Sequence, residues 1–316
     1  MYKILITGAT GYVGRSLVPV LLSAGYQVRC AVSKKVDWLD AEQLVINRLE
    51  LQTNWEEALK EVDIVIHLAS RVHIMNESSA SNLDTYCKVN SEATKVLAEQ
   101  AARLKVKRFI FISTIKVNGD YTVASSPFTE DSKVNPGDSY AISKLLAEQH
   151  LLSISKSTGM EVVILRPPLI IGPNVKANFL KFLKLADKDW ILPFGQINNA
   201  RSFVCIDNLI SAITTVIEHP KAANQTYLVA DDDSWSLTSL FKFLSLEMGS
   251  KTRLFKIPGI ELLFKLPGLN KIGIRLFGSL EVSNNKLKNQ LGWTPPVRSA
   301  EGLAKTVRWY KSEYGS

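Results

Sequence analysis

The feature that most constrains this chain is its start. Thr7-Gly8-Ala9-Thr10-Gly11-Tyr12-Val13-Gly14 follows an apolar β-branched run and opens an amphipathic stretch. Glycines at this spacing permit a tight strand-to-helix turn. They also let backbone approach a pyrophosphate and let the helix pack closely on the strand. The helix N-terminus then offers unpaired N–H groups and the positive end of a dipole. The glycine pattern alone is weak; with a strand before it and a helix after it, it specifies a dinucleotide-binding turn. Gly8, Thr10, Gly11, Tyr12, Val13 and Gly14 are its expected contacts.

Apolar strand-like runs then alternate with helical patterns. Strands are expected at 2–7, 27–32, 44–47, 63–68, 108–113 and 161–166, with helices clearest at 83–104 and 139–157. The runs IVIHL and FIFIS lack period-2 alternation, as strands buried on both faces do. Such alternation implies right-handed βαβ units and a doubly wound parallel α/β sheet. After Arg166 the punctuation changes, with Pro167, Pro168, Gly172 and Pro173. Residues 1–166 are therefore read as a Rossmann domain, with returning elements near 200–222. Residues 167–316 read mostly as a smaller substrate-binding lobe, with a helix at 177–186 and a strand near 202–205. A length of 316 residues fits two such units.

Composition excludes several classes. With 46% hydrophobic and 22% charged residues, the chain is not extensively disordered. No apolar run reaches the ~18 residues of a membrane helix, and MYKILITGAT reads as a strand rather than a secretory signal. Cys30, Cys87 and Cys205 have neither disulfide-framework nor CxxC spacing. A reduced, cytoplasmic setting is expected. His67, His73, His150 and His219 form no metal-ligand pattern, so no metal is expected. The net charge of +8 is mostly scattered, which argues against nucleic acid as a partner. The exception is 251–275, where Lys251, Arg253, Lys256, Lys265, Lys271 and Arg275 stand against the single acid Glu261. That run reads as a solvated face, a site for an anionic ligand's phosphates, or a peripheral membrane contact.

The second strand addresses the cofactor. An NAD site usually places Asp or Glu about 20 residues beyond the glycines, on the ribose 2′-hydroxyl. Here Val28-Arg29-Cys30-Ala31-Val32-Ser33-Lys34-Lys35 holds no acid before Asp37. Ser33, Lys34, Lys35 and Arg29 suit a 2′-phosphate, which favours NADP(H), with NAD(H) as the alternative.

Tyr140-Ala141-Ile142-Ser143-Lys144 places Tyr and Lys at i and i+4 on one helix face. A tyrosine hydroxyl ordinarily titrates near 10, and an adjacent ammonium favours its phenolate. The expectation is a tyrosine able to donate or accept a proton near neutrality. Ser113-Thr114 ends the fifth strand, at the carboxyl edge where open α/β sheets bind ligands.

Together these motifs resemble the extended branch of the short-chain dehydrogenase/reductase superfamily, the NAD(P)-dependent nucleotide-sugar epimerases and dehydratases. The resemblance runs nearly end to end. It includes HLAS at 67–70, Asn90 in YCKVNSEAT, YAISK and RPPLIIGP at 166–173. It continues through Asn178 in VKANFL, RSFVCIDNL at 201–209 and LGWTPP at 291–296. It implies Tyr140 as acid/base, Lys144 tuning it and binding the nicotinamide ribose, and Thr114 contacting the reacting oxygen. It implies further cofactor contacts at Leu68, Ala69, Asn90, Ser113 and Pro167. Asn178, Arg201 and, by a looser match, Arg275 would hold the diphosphate of a UDP-sugar. Many relatives dimerise through helices that here are 83–104 and 139–157, so a homodimer is implied.

Two positions depart from the family pattern. Arg48 stands where members often carry an adenine-contacting Asp. Ile115-Lys116 stands where 4,6-dehydratases carry Asp-Glu after the threonine, so dehydration lacks its carboxylates. Epimerase and 4-keto reductase remain. RVHIMNE, ISTIKVNG and VKANFLKFLK resemble a bacterial group of UDP-glucose 4-epimerase-like proteins. That group includes the reductase forming UDP-N-acetylquinovosamine for O-antigen. With NADP(H) favoured, the expected reaction is NAD(P)H-dependent reduction at C4 of UDP-2-acetamido-2,6-dideoxy-4-hexulose. The alternative is UDP-glucose or UDP-N-acetylglucosamine 4-epimerase with tightly bound NAD. A non-catalytic NADP-sensing binder is disfavoured, because such proteins commonly lose the Tyr or Lys that both stand here.

Overall fold

The structure is a computed structural model that describes all residues except 47–48, 72–78, 124, 258, 260–269 and 316; the side chains of 79–82, 270–272 and 275 also lie outside the description. The first half runs β1 (Lys3–Thr7), α1 (Tyr12–Ser23), β2 (Gln27–Val32), β3 (Glu42–Val45), α2 (Glu56–Leu59), β4 (Ile64–His67), α3 (Ser79–Cys87), α4 (Ala93–Arg103), β5 (Arg108–Ile112), α5 (Ser139–Thr158) and β6 (Glu161–Arg166). The second half runs β7 (Leu169–Ile171), α6 (Ala177–Ala186), β8 (Ile191–Leu192), β9 (Arg201–Cys205), α7 (Ile206–Glu218), β10 (Gln225–Leu228), β11 (Ser234–Trp235), α8 (Leu237–Met248) and β12 (Arg253–Leu254). Among the described residues, the helices Asn270–Phe277, Asn285–Leu291 and Ser299–Tyr314 follow.

Seven parallel strands form the main sheet in the order β10-β6-β5-β4-β1-β2-β3. Successive residues feed opposite cores. Ile4, Ile6, Ile64, Ile66, Ile110, Ile112, Val163 and Leu165 meet α1 and α7 on one side. Leu5, Val65, Phe109, Phe111, Val162 and Ile164 meet α4 and α5 on the other. Both faces are apolar, so no alternation shows in the sequence. β1 pairs with both β2 and β4, and the strand order reverses there. The crevice outside the carboxyl ends at such a switch point is where open sheets bind ligands.

Helix ends follow their capping chemistry. Asp138 Oδ1 accepts the N–H of Ala141 at 2.8 Å and starts α5. Gly159, at φ 78°, ends it in the left-handed conformation that glycine tolerates. The helix expected at 83–104 is interrupted: α3 and α4 are joined by a π-helical turn, Lys88–Glu92. The expected strand 44–47 is set back to Glu42–Val45, and residue 47 lies outside the described residues.

The second half builds its own core. β7, β9 and β11 form a three-stranded sheet, while β8 pairs with β12. Phe179 and Leu183 of α6, Leu240 and Phe241 of α8, and Leu303 and Val307 of the last helix pack together. α7 and β10 return to the main sheet. Bridges Thr122–Ser279 and Phe128–Val282 tie the chain beyond β5 to the second half, and Arg201–Leu280 joins β9 to the same returning segment.

Candidate active site

The turn after β1 is shaped by its glycines. Gly8 has φ 75°, and a Cβ there would lie 2.7 Å from Ala69 N. A Cβ at Gly14 would lie 2.4 Å from Gly8 O, so α1 closes tightly on the turn. Gly11 differs: it is exposed, its N–H donates to Gly8 O at 2.9 Å, and a Cβ would meet only that oxygen. The turn is thus packed beneath and open above, at the N-terminus of α1. Thr10, Tyr12 and Val13 are half-buried around it. An open backbone concavity with N–H donors fits a dinucleotide's pyrophosphate.

The β4 exit is tied to this turn. Leu68 N donates to Thr7 O at 3.1 Å, and Ala69 N to Thr7 Oγ1 at 3.3 Å. The π-helical turn projects Asn90 against the next residues. Its Oδ1 accepts from Arg71 N at 2.7 Å, and its Nδ2 donates to Arg71 O at 3.0 Å and Ser143 Oγ at 3.1 Å. Asn90 therefore fixes the loop after β4 and ties it to α5. π-turns recur at such sites. Beneath it, His67 is buried between Thr7 Oγ1 at 2.7 Å and Thr94 Oγ1 at 2.9 Å.

Burial, with the Lys144 ammonium nearby, lowers His67 from 6.5 to about 3. Between those values the unfolded chain binds the proton and the folded chain does not. The stability from neutral His67 is complete above about pH 6.5 and is lost as pH falls toward 3. His67→Gln is expected to lose less stability than wild type over that interval. Urea midpoints across the pH series check this; parallel losses would assign the titration elsewhere.

α5 carries Tyr140, Lys144 and Glu148 along one face, at i, i+4 and i+8. Tyr140 is half-buried, with Ser70 hydrogen-bonded to its hydroxyl and Tyr86 edge-on at 6.3 Å between ring centroids. The expected lowering of its pKa is not found. Burial dominates, with Asp138 and Tyr86 acting the same way against the Ser70 bond, and pushes the hydroxyl up to about 12. The reason is where Lys144 points. Its Nζ donates to Ile112 O at 2.8 Å and lies 4.3 Å over the Phe111 ring. Burial lowers the lysine from 10.5 to about 7, against the pull of the Glu148 carboxylate.

Glu148 anchors the end of β5. Its carboxylate accepts the Ser113 hydroxyl and a bidentate pair from Arg166, Nε at 3.0 Å and Nη2 at 2.5 Å. Ser113, itself an expected cofactor contact, therefore commits its hydroxyl to the protein. Thr114 is half-buried, and its Oγ1 accepts from Lys116 N at 3.3 Å. Pro167 is buried and accepts the N–H of Ile115 at 2.9 Å, which joins the ends of β5 and β6.

Ser33, Lys34 and Lys35 are exposed beyond β2. Arg29 does not join them, contrary to expectation. It is 7% exposed, bonds Glu42 Oε1 at 2.7 Å, and donates to the carbonyls of Glu57, Ala58 and Lys60. Its place in mid-strand turns it under the sheet edge to close the end of α2. Sequence reasoning missed Arg15, whose guanidinium stacks 4.5 Å over Trp38 and whose Nε donates to Thr10 O at 3.1 Å. A basic residue directly after the glycine motif was the available signal. Arg48 lies outside the described residues.

On the second-half side, Asn178 is exposed in the first turn of α6. Arg201 opens β9, half-buried, with Nη1 on Gly278 O at 2.8 Å. Arg275 lies in the helix Asn270–Phe277, which ends beside that contact, but its side chain is outside the described residues. Of the basic run, Lys251, Arg253 and Lys256 are exposed, and most of the rest is outside the description. No helix among the described residues is long and apolar enough to cross a membrane.

Residues 4–230 match the model of the NAD dependent epimerase/dehydratase family. The chain belongs to that family. This member is 41% identical over 310 residues to UDP-glucose 4-epimerase from Vibrio cholerae, covering 97% of this chain and 94% of that one. Its fold also matches UDP-glucuronic acid 4-epimerase from Bacillus cereus in complex with UDP-glucuronic acid and NAD, with TM-score 0.78, 23% identity and coverage of 99% and 100%. RMD from Pseudomonas aeruginosa, complexed with NADPH, matches with TM-score 0.76, 21% identity and coverage of 99% and 100%. At these identities the two structures speak for the fold alone.

Proposed function

We propose that this family member is a UDP-hexose or UDP-N-acetylhexosamine 4-epimerase using a nicotinamide dinucleotide. The observation that carries the reading is the near full-length 41% identity to the Vibrio cholerae UDP-glucose 4-epimerase. The site supports it in three ways. The open turn at Gly11 fits a pyrophosphate. Thr114 follows the carboxyl end of β5, and Tyr140 lies in the first turn of α5. The two residues after Thr114, Ile115 and Lys116, carry no carboxylate for dehydration. The 4-keto reductase expected from the sequence rested on an NADP(H) preference and on resemblance to a group that includes it; the near full-length relative carries the epimerase name instead.

When bound, the dinucleotide supplies the redox capacity at sugar C4. The chain does the rest. Gly8 to Gly14, with Leu68 and Ala69, hold the pyrophosphate side, and Lys144 holds the nicotinamide ribose. Asn178 and Arg201 hold the UDP diphosphate, and Arg275 belongs with them. A guanidinium suits that geometry. Tyr140 Oη takes the proton of the C4 hydroxyl as the carbonyl forms and returns it afterwards. Thr114 Oγ1 hydrogen-bonds the same oxygen. A hydroxyl held near 12 keeps its proton at neutrality, and the Ser70 hydrogen bond is the contact that favours the phenolate when Tyr140 acts as base.

Purified protein given UDP-glucose or UDP-N-acetylglucosamine, with no added cofactor, is expected to form the C4 epimer. No conversion, together with NADPH-dependent consumption of the 4-keto sugar, would replace this reading with the reductase.

Cofactor choice has its own test. Ser33, Lys34 and Lys35 stand exposed at the end of β2, with Arg15 nearer the glycine turn; this is the feature that favours NADP(H). Ser33→Asp would place a carboxylate where an NAD site holds its ribose. The ratio of NADPH to NADH affinity is expected to fall about tenfold or more, by the size of a charge-assisted bond. An unchanged ratio means that a 2′-phosphate is not read there. Homodimerisation through α3, α4 and α5 belongs to the same proposal.

A further inference from the structure

After Thr114 the chain makes one 3-10 turn, Ile115–Val117. Ile115 and Val117 are 3% and 0% exposed, whereas Lys116 between them remains half-buried. Its Nζ bonds Asp138 Oδ2, and the two side chains are 31% and 23% exposed. The other oxygen of Asp138 caps α5, in the turn that carries Tyr140. Lys116 thus links Thr114, just past the end of β5, to the residue that caps α5. Its backbone N–H donates to Thr114 Oγ1 at 3.3 Å, and its ammonium pairs with the residue that caps α5, two positions before Tyr140.

The ammonium neutralises the Asp138 carboxylate but caps neither helix itself. The turn is capped by Thr114 and buried by its neighbours, and α5 is capped by Asp138. An ammonium carries three N–H donors, so the bond to Asp138 leaves donors for a ligand. We propose that Lys116 is a substrate-contacting residue whose ammonium, held by Asp138 at the cap of α5, donates a hydrogen bond to an oxygen of the sugar. The proposal rests on the nucleotide-sugar reading above. It explains what replaces a carboxylate at this position: a donor that orients the hexose instead of a base that abstracts a ring proton.

Calorimetric titration of the purified protein with UDP and with UDP-glucose or UDP-N-acetylglucosamine tests it, in wild type, Lys116→Met and Lys116→Arg. UDP affinity is expected to be equal in all three. UDP-sugar affinity is expected to fall about tenfold or more in Lys116→Met, the size of a hydrogen bond to a charged group. Lys116→Arg, which keeps a donor, is expected to recover part of that loss, with KM following the same order. Unchanged UDP-sugar affinity in Lys116→Met overturns the assignment while leaving the nucleotide-sugar reading intact. Equal loss for UDP and UDP-sugar overturns it too, because a purely structural role does that. Failure of UDP to bind wild type overturns both.

Discussion

Tyr140→Phe is expected to lower turnover about 10²- to 10⁴-fold, the usual contribution of a positioned proton donor. The substitution removes one oxygen and keeps the ring, so the edge-on contact with Tyr86 at 6.3 Å survives. The hydroxyl lost is the one that Ser70 bonds, and burial holds it protonated up to about 12. Without it, Thr114 is left to hydrogen-bond the C4 oxygen, and a threonine cannot carry the phenolate's charge. The dinucleotide's expected contacts at Gly8 to Gly14 and at Lys144 are untouched, so its affinity should stay near wild type. The checks are kcat with the UDP-sugar and the dinucleotide content of purified protein. Activity within about tenfold of wild type would assign the proton to another group.

Most of the sheet was legible because its strands are unusually apolar. Residues 27–32 and 161–166 occupy the predicted limits, since runs buried on both faces stop only where polar or turn residues begin. The π-turn at Lys88–Glu92 was not legible, because apolar spacing on either side of one inserted residue still reads as a single helix. Asn90 was found through the family pattern, but only the structure shows that it grips Arg71 rather than standing free.

The misreadings at the site have one physical cause: a side chain's direction depends on residues distant in sequence. Arg29 looked like part of a phosphate cluster, yet Glu42 and the end of α2 draw it under the sheet edge. Lys144 stands one turn from Tyr140, as expected, but Ile112 O of β5 holds its ammonium. Lys116 was noticed only as the missing carboxylate of a dehydratase. Its partner Asp138 is 22 residues away, beyond any local pattern. Glu148 shares a helix face with Tyr140 and Lys144 and passed unnoticed. Its role becomes visible only when β5 and β6 bring Ser113 and Arg166 to it.

That last cluster carries the largest expected effect on stability. Glu148 and Arg166 are 2% and 8% exposed at the side chain and form a bidentate pair under the carboxyl end of the sheet. Arg166 Nη1 also donates to Asn118 Oδ1 at 3.0 Å, just past the turn that follows Thr114. Removing one partner leaves a buried charge without its counter-charge, at a cost of about 3–5 kcal/mol. Arg166→Ala is expected to lose that much in urea unfolding, with Glu148 stranded beside Ser113. Replacing both, Glu148→Leu with Arg166→Met, removes the desolvation cost along with the attraction and should recover most of the stability. Glu148→Gln separates position from charge: the amide can still accept from Ser113, but the pull that raises Lys144 is gone. The lysine then titrates lower still, so dinucleotide affinity should fall away at a lower pH than in wild type. Arg166→Ala within about 1 kcal/mol of wild type would show that the pair is not the brace between α5, β5 and β6. A dinucleotide affinity profile unmoved in Glu148→Gln would show that the carboxylate does not set the charge of Lys144.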